Sequence, residues 1–290
     1  MSYFEIFTDS SCDLPQNMIE KYHLQVMQLE VFINDNPPVL NNQIDATEFY
    51  DLLRKGANAK TAAVTPGFFE EHMRKSLEDG KDILYIGFSS GLSVTYNNGA
   101  LILQELMQEY PERKVLFFDS LCATGGQGLL VYYAALLREA GKSIEEVKSM
   151  VESLKDRVHH LVTVDNLFFL QRGGRIPAST AILGTALQIK PIIVVDKDGK
   201  LQNVSKARGR RGAIKTLFKM MQENAAMDEL PYVFITHSDC KEDAELLADM
   251  VREELGPKEI IISDIGPVIG AHTGPGGLVL CYLAKTEKGQ

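Results

Sequence analysis

The sequence predicts an α/β protein of two units, the first built on a parallel sheet and the second on a mixed one. Three observations carry that reading. Short apolar runs alternate with longer amphipathic stretches through the first half, the pattern of parallel α/β layers. The second half carries Asp196-Lys197-Asp198-Gly199 between two strand-like runs, a hairpin signal that makes its sheet mixed. At 290 residues the chain is long for a single core and comfortable for two.

Taken in order, Phe4 to Thr8 reads as a strand, and Leu14 to Tyr22 as a helix with Pro15 in its first turn. Ile83 to Phe88 is a near-continuous apolar run between Lys81-Asp82 and a Ser/Gly loop, hence a buried strand. A helix from Val94 to Tyr110 follows, then the strand Val115 to Phe118, the turn Asp119-Ser120 and the helices Gly128 to Ala140 and Ile144 to Leu154. Beyond a boundary near Lys155 to His159, which divides the chain into 1–157 and 158–290, Val158 to Val164, Lys190 to Val195 and Lys200 to Lys206 read as strands. Helices Arg210 to Glu223 and Asp243 to Glu254 flank the strand Tyr232 to Thr236, and strands Glu259 to Ser263 and Leu278 to Leu283 close the chain. No internal repeat or low-complexity segment interrupts this order.

The formal charge of −9 argues against general nucleic-acid binding, which relies on dense positive charge. No apolar run approaches a membrane span, and Met1 to Glu5 lacks the basic and apolar regions of a secretory signal, so a cytoplasmic protein is expected. Cys12, Cys122, Cys240 and Cys281 are widely spaced, which fits reduced packing thiols better than a disulfide frame or zinc site.

Several motifs fail on inspection. Ala140-Gly141-Lys142-Ser143 resembles the end of a phosphate loop, but Leu136 stands where the first glycine belongs and a helix precedes it; Gly141 reads as a helix cap. Gly126-Gln127-Gly128 lacks the third glycine of a dinucleotide fingerprint, Val131 taking its place. His159 and His160 are adjacent on a strand and face opposite sides, a poor metal pair.

Three segments look better together than singly. Gly270-Ala271-His272-Thr273-Gly274-Pro275-Gly276-Gly277 sets one histidine in a glycine-rich loop. Ser89-Ser90-Gly91-Leu92-Ser93 lies beyond the carboxyl end of a strand, where ligands bind in such sheets. The turn Lys60-Thr61…Thr65-Pro66 supplies more hydroxyls. Small, hydroxyl-rich loops suit an anionic group. Helix capping is the plain alternative for the serines, and a local backbone bond for His272. A hydrolase triad of Ser93 and His272, oriented by Asp9 or Asp119, also stands on paper, although Gly91-Leu92-Ser93-Val94-Thr95 ends in threonine where a nucleophile elbow wants glycine. The cluster Lys206, Arg208, Arg210, Arg211 and Lys215 reads either as a solvated strand end or as a patch for an acidic partner.

In order and context these words resemble the DegV family, whose members include the fatty-acid-binding subunit of bacterial fatty acid kinase. The resemblance runs essentially end to end. It rests on Thr8-Asp9-Ser10-Ser11-Cys12-Asp13-Leu14-Pro15, on Ser89 to Tyr96, on Asp119-Ser120 with Gly125-Gly126-Gln127-Gly128, and on Arg172-Gly173-Gly174-Arg175-Ile176. Leu187-Gln188-Ile189-Lys190-Pro191-Ile192, Lys206-Ala207-Arg208-Gly209-Arg210 and His272-Thr273-Gly274-Pro275-Gly276 complete it.

The resemblance implies a two-domain DegV-like fold with a long-chain fatty acid in a tunnel at the junction. It implies that Thr61, Ser93 and the Val94 amide hold the carboxylate, that Arg208 engages an ATP-dependent kinase subunit, and that His272 assists phosphoryl transfer. On this reading the chain is a carrier with no catalysis of its own, no metal and no cofactor, serving lipid metabolism without stable membrane insertion. A lipid ester hydrolase using Ser93 and His272, and a transport or buffer protein without a kinase, are the alternatives. Two departures stand out: Thr61-Ala62-Ala63-Val64-Thr65-Pro66 lacks the usual serine and first proline, and Val94 replaces a common glycine.

Overall fold

The computed structural model describes residues 4–177 and 188–289; Leu187, the first residue of one family word, lies outside them. Strand β1 (Phe4–Asp9) pairs in parallel with β2 (Gln25–Met27) on one side and β6 (Asp82–Gly87) on the other, and β6 pairs in parallel with β7 (Val115–Asp119). The first sheet therefore has the order β2-β1-β6-β7, all parallel. Both faces are covered, which explains the unbroken apolar runs. Period-two alternation sends Phe4, Ile6, Leu84 and Ile86 to one face and Phe7, Ile83 and Tyr85 to the other.

The second face is covered by α2 (Ala46–Arg54), α3 (Pro66–Glu78) and α4 (Thr95–Glu109), through side chains such as Phe49, Phe69, Met73 and Leu103. The first face meets α5 (Thr124–Glu139). That helix touches β1 and β6 on one side and β11 (Tyr232–His237) and β13 (Leu278–Leu283) on the other. Its residues from Thr124 to Tyr132 are all buried, as expected for a helix apolar nearly all round between two sheets.

The second sheet has the order β10-β9-β8-β13-β11-β12, with β8 (Val158–Thr163), β9 (Ile189–Val195), β10 (Leu201–Arg208) and β12 (Glu259–Asp264). Among the described strands of this sheet only β11 and β12 pair in parallel, so the sheet is mixed. The expected hairpin joins β9 and β10, with Gly199 N donating to the Asp196 carbonyl at 3.0 Å. On its outer face Ile192, Val233, Ile235, Leu278 and Leu280 pack against helices α8 (Gly209–Asn224) and α9 (Lys241–Leu255). The chain is thus mixed α/β in the two styles expected.

The sequence reading passed over the stretch between the first helix, α1 (Gln16–Lys21), and β6. A three-stranded antiparallel sheet stands there, β4 (Val39–Leu40), β3 (Glu30–Ile33) and β5 (Ala59–Ala62), with α2 and α3 around it. Its strands of two to four residues are too short to show an alternation. Two placements change as a result. Thr61 lies on β5 rather than in a turn, whereas Thr65 caps α3 by accepting the Phe68 amide at 3.3 Å. Helix α5 starts at Thr124, four residues before the expected Gly128, so Gly125-Gly126-Gln127-Gly128 forms its first turn.

Gly141 follows α5 with a φ of 81°, and Ser143 opens the next helix, α6 (Ile144–Glu152), with a capping box to Glu146. The phosphate-loop look-alike is a helix-to-helix turn. All four cysteines are free thiols, three of them buried. Among the described residues no helix is long and apolar enough to cross a membrane.

Candidate functional site

The Ser89 to Ser93 loop leaves the carboxyl end of β6 and lies against the β9–β10 hairpin. Ser89 Oγ donates to the Gly199 carbonyl at 2.8 Å, and a side chain at Gly91 would overlap the Asp198 carbonyl. Beside this contact opens a cavity of about 480 Å³. Its wall draws on both halves of the chain: Thr61, Ser93 and Val94 from the first, Arg175 and His272 from the second. Beyond these the lining is largely apolar, including Phe88, Leu170, Val195, Leu201, Val268 and Val279. Residues remote in sequence therefore share one cavity, with a few polar groups in a largely apolar wall.

Thr61 and His272 meet directly, with Thr61 Oγ1 and His272 Nε2 2.9 Å apart. The histidine does not sit in a glycine loop. It occupies the last turn of a short helix, α10 (Pro267–Thr273), and the glycines that follow turn the chain into β13. Burial, with the Arg175 and Arg172 guanidinium charges adding to it, pushes His272 down to about 4, so the ring is neutral at physiological pH. Among the described residues its buried Nδ1 has no hydrogen-bond partner. The ring fits only because residue 173 is glycine: a methyl there would overlap Nδ1.

Ser93 sits before α4. Its Oγ accepts the Thr95 amide at 3.2 Å and lies 2.9 Å from Thr95 Oγ1, so the capping role expected of a serine here is real. The Val94 amide has no partner among the described residues, at a helix start that favours an anion. Val94 is 61% exposed, which places this part of the cavity at its mouth.

Sequence reasoning assigned no role to Arg175. It lines the cavity, donates Nε to the Leu92 carbonyl at 3.0 Å and contacts the Gly173 carbonyl, tying Arg172-Gly173-Gly174-Arg175, at the end of helix α7 (Phe168–Arg172), to the Ser89 to Ser93 loop. The glycine pair between two arginines was the available signal. His160, on β8, also lines the cavity, and burial holds it well below the ordinary histidine range.

Arg208 stands elsewhere, exposed at the start of α8 and off the cavity wall. Its neighbour Arg210 is committed, with Nε on Asp243 at 2.7 Å and one amino group on the Gly276 carbonyl at 2.7 Å. Lys206, Arg211 and Lys215 are exposed.

No triad forms among the described residues. Ser93 bonds Thr95 and His272 bonds Thr61. Asp9 accepts the Phe88 amide at 2.9 Å and the Ser11 amide at 3.2 Å, while Asp119 accepts the Ser90 and Leu121 amides.

Comparison with known proteins adds to this geometry. Residues 3–285 match the profile of a family described as "Uncharacterised protein, DegV family". A DegV domain-containing protein of Clostridium perfringens is 41% identical over 291 positions, covering 99% of this chain and 100% of the relative. Among solved structures, a DegV family protein of Thermus thermophilus described for its fatty acid binding superimposes with a TM-score of 0.86 at 29% identity, covering 98% of this chain and 100% of its own. DegV of Bacillus subtilis, described as a fatty acid binding protein, gives 0.83 at 26% identity, covering 98% and 100%.

Proposed function

Because the chain belongs to the DegV family, we propose that it binds a long-chain fatty acid and presents the carboxylate to a separate ATP-dependent kinase subunit. In this reading Thr61, Ser93 and the Val94 amide hold the carboxylate and the acyl chain runs into the apolar part of the cavity. The two units, 1–157 and 158–290, meet around the ligand, and the protein works in the cytoplasm.

One observation carries the proposal: the Thr61 and Ser93 hydroxyls and a helix-start amide without a partner among the described residues belong to the wall of one cavity whose remaining lining is largely apolar. A carboxylate taken out of water without partners costs several kcal/mol, so it needs such converging donors. The tail repays this at roughly 0.8 kcal/mol per buried CH₂. Fatty acid binding by relatives of the same fold supports the ligand class.

The pairing of Thr61 with a neutral His272 has a chemical use. With Nε2–H donating to Thr61 Oγ1, the threonine O–H is left to donate to the ligand. Nδ1 then keeps its lone pair toward the field of Arg172 and Arg175, the arrangement those charges favour. During transfer one carboxylate oxygen attacks the terminal phosphorus of ATP, the phosphoanhydride bond breaks and ADP leaves. Val94 at an exposed mouth keeps that oxygen within reach of a partner, His272 assists through Thr61, and Arg208 docks the kinase away from the cavity.

The hydrolase alternative loses ground because Ser93 and His272 each bond a different threonine. Native mass spectrometry of protein purified without added lipid tests the ligand. A co-purifying mass of a fatty acid is expected, and a lipid-free species that also refuses added oleate would overturn the reading. Acyl-phosphate formation with a cognate kinase separates the carrier from a simple buffer.

A further inference from the structure

His272 reaches Thr61 from the end of α10, a helix of only seven residues. So short a helix does not hold its place by its own backbone. Its start is instead clasped from several directions. The Gly266 amide donates to Asp13 Oδ1 at 2.9 Å, and the Val268 amide to Asn41 Oδ1 at 2.9 Å. The Tyr50 hydroxyl donates to the Ile265 carbonyl at 2.7 Å and lies 3.0 Å from Ser238 Oγ, which is 3.0 Å from Thr273 Oγ1 at the other end of the helix. Asp13 comes from the segment after β1, Asn41 from the turn after β4, and Tyr50 from α2.

Asp13 is the least expected member. It is 8% exposed and held at a φ of 49°, a left-handed conformation that aspartate tolerates at some cost. Burial above all pushes its carboxyl up to about 8, with the Asp264 and Asp9 charges adding and the Thr124 hydroxyl and Gly266 amide opposing. At neutral pH it is mostly the uncharged acid, so it works as a hydrogen-bonding group rather than as a charge.

We propose that Asp13 and Asn41 are positioning residues for the head-group site, fixing the start of α10 and thereby the distance between His272 and Thr61. This rests on the reading of Thr61 as a carboxylate donor. The lever is long for so tight a bond. From Gly266 to His272 is ~9 Å of helix rise, so a tilt of about 3° moves the ring by on the order of half an ångström. The Thr61–His272 contact at 2.9 Å has little such slack, because hydrogen bonds of this kind fade beyond about 3.2 Å. The Thr8 to Pro15 word, which touches no ligand in this reading, thus acquires a function through Asp13.

The test compares Asp13→Ala with Asp13→Asn in the full chain, reading ¹⁵N shifts of the His272 ring without ligand and oleate affinity. Asp13→Ala removes the acceptor for Gly266; it is expected to shift the His272 Nε2 resonance and weaken oleate about tenfold. Asp13→Asn keeps a neutral acceptor and is expected to restore both. Should Asp13→Ala not fold, Asn41→Ala, which frees the Val268 amide, decides by the same two readouts. Unchanged ring shifts and affinity in the alanine variants would overturn the proposal. So would equal losses in Asp13→Ala and Asp13→Asn with unmoved ring shifts, which indicate plain destabilisation. A wild-type protein that ignores oleate would sink the lipid reading instead, while the ring shifts would still report on the clasp.

Discussion

Thr61→Val is the sharpest perturbation of the site. It keeps the volume and β-branching suited to strand β5 and removes only the hydroxyl. Two effects follow from the geometry. His272 loses the partner of its Nε2, and because Nδ1 has none among the described residues, both ring nitrogens then lack one in a buried place. That costs the ligand-free protein about 1 kcal/mol. The proposed carboxylate also loses a donor. A hydrogen bond to a charged group is worth about 1.5–3 kcal/mol, and Thr61 is only half-buried, so the lower end applies: about a tenfold weaker oleate complex. Titration calorimetry with oleate and with methyl oleate separates this from general damage. The ester keeps a carbonyl acceptor but presents no charge to Thr61, so its affinity should fall by less, and the acid-minus-ester difference isolates the charge-assisted part of the head-group bond. If acid and ester weaken equally, or if neither does, Thr61 is not a carboxylate donor.

Gly173→Ala places a methyl against the His272 ring and should weaken oleate about as much as Thr61→Val, without touching any hydroxyl; wild-type affinity would show that the ring is not needed in its observed seat. Arg208→Ala should leave oleate affinity within about twofold while acyl-phosphate formation with a cognate kinase falls at least about tenfold, and equal loss of both would refute that division. Two buried groups give opposite pH slopes in stability. The folded-state value of His272 is depressed to about 4, so between its ordinary 6.5 and 4 the unfolded chain binds the proton that the folded chain refuses, and stability falls on acidification through that window. Asp13 is raised from 3.8 to about 8, so its contribution is complete below 3.8 and is lost as pH climbs through 8. Denaturation of Asp13→Asn across pH 4 to 9 should lose the second slope and keep the first.

The sheets were legible where strands were long and buried on both faces: β1, β6, β11 and β13 are six-residue strands buried throughout, and an unbroken apolar run announces such a strand. The small sheet that carries Thr61 was not legible, because β4 has two residues and β5 reads Ala59-Lys60-Thr61-Ala62, without alternation or β-branched enrichment. Helix α10 hid for a similar reason. Glycines at 266, 270 and 274 spell a loop by propensity, yet Pro267 at its first turn and the clasp on Gly266 and Val268 make a helix of it. The candidate site could be assembled from sequence only by resemblance. Thr61 and His272 are separated by 211 positions, and no spacing rule brings such residues together.

What the geometry adds is the electrical character of the site. The groups proposed to hold the carboxylate are neutral, two hydroxyls and an amide beside an imidazole kept uncharged by burial and by two arginines, one of which, Arg175, lines the same cavity. A carboxylate held by neutral donors keeps more of its charge on its oxygens than one locked in a bidentate ion pair. For a storage protein the ion pair is the better design, since it holds harder. For a protein that must hand an oxygen nucleophile to a phosphoryl donor, neutral donors at an open mouth are preferable, because they orient the group without quenching it. Replacing His272 by a permanent cation puts this distinction to work. His272→Arg, if tolerated beside Gly173, should strengthen oleate binding while slowing acyl-phosphate formation, and a gain in both would mean that nucleophilicity at the carboxylate is not what the neutral site preserves.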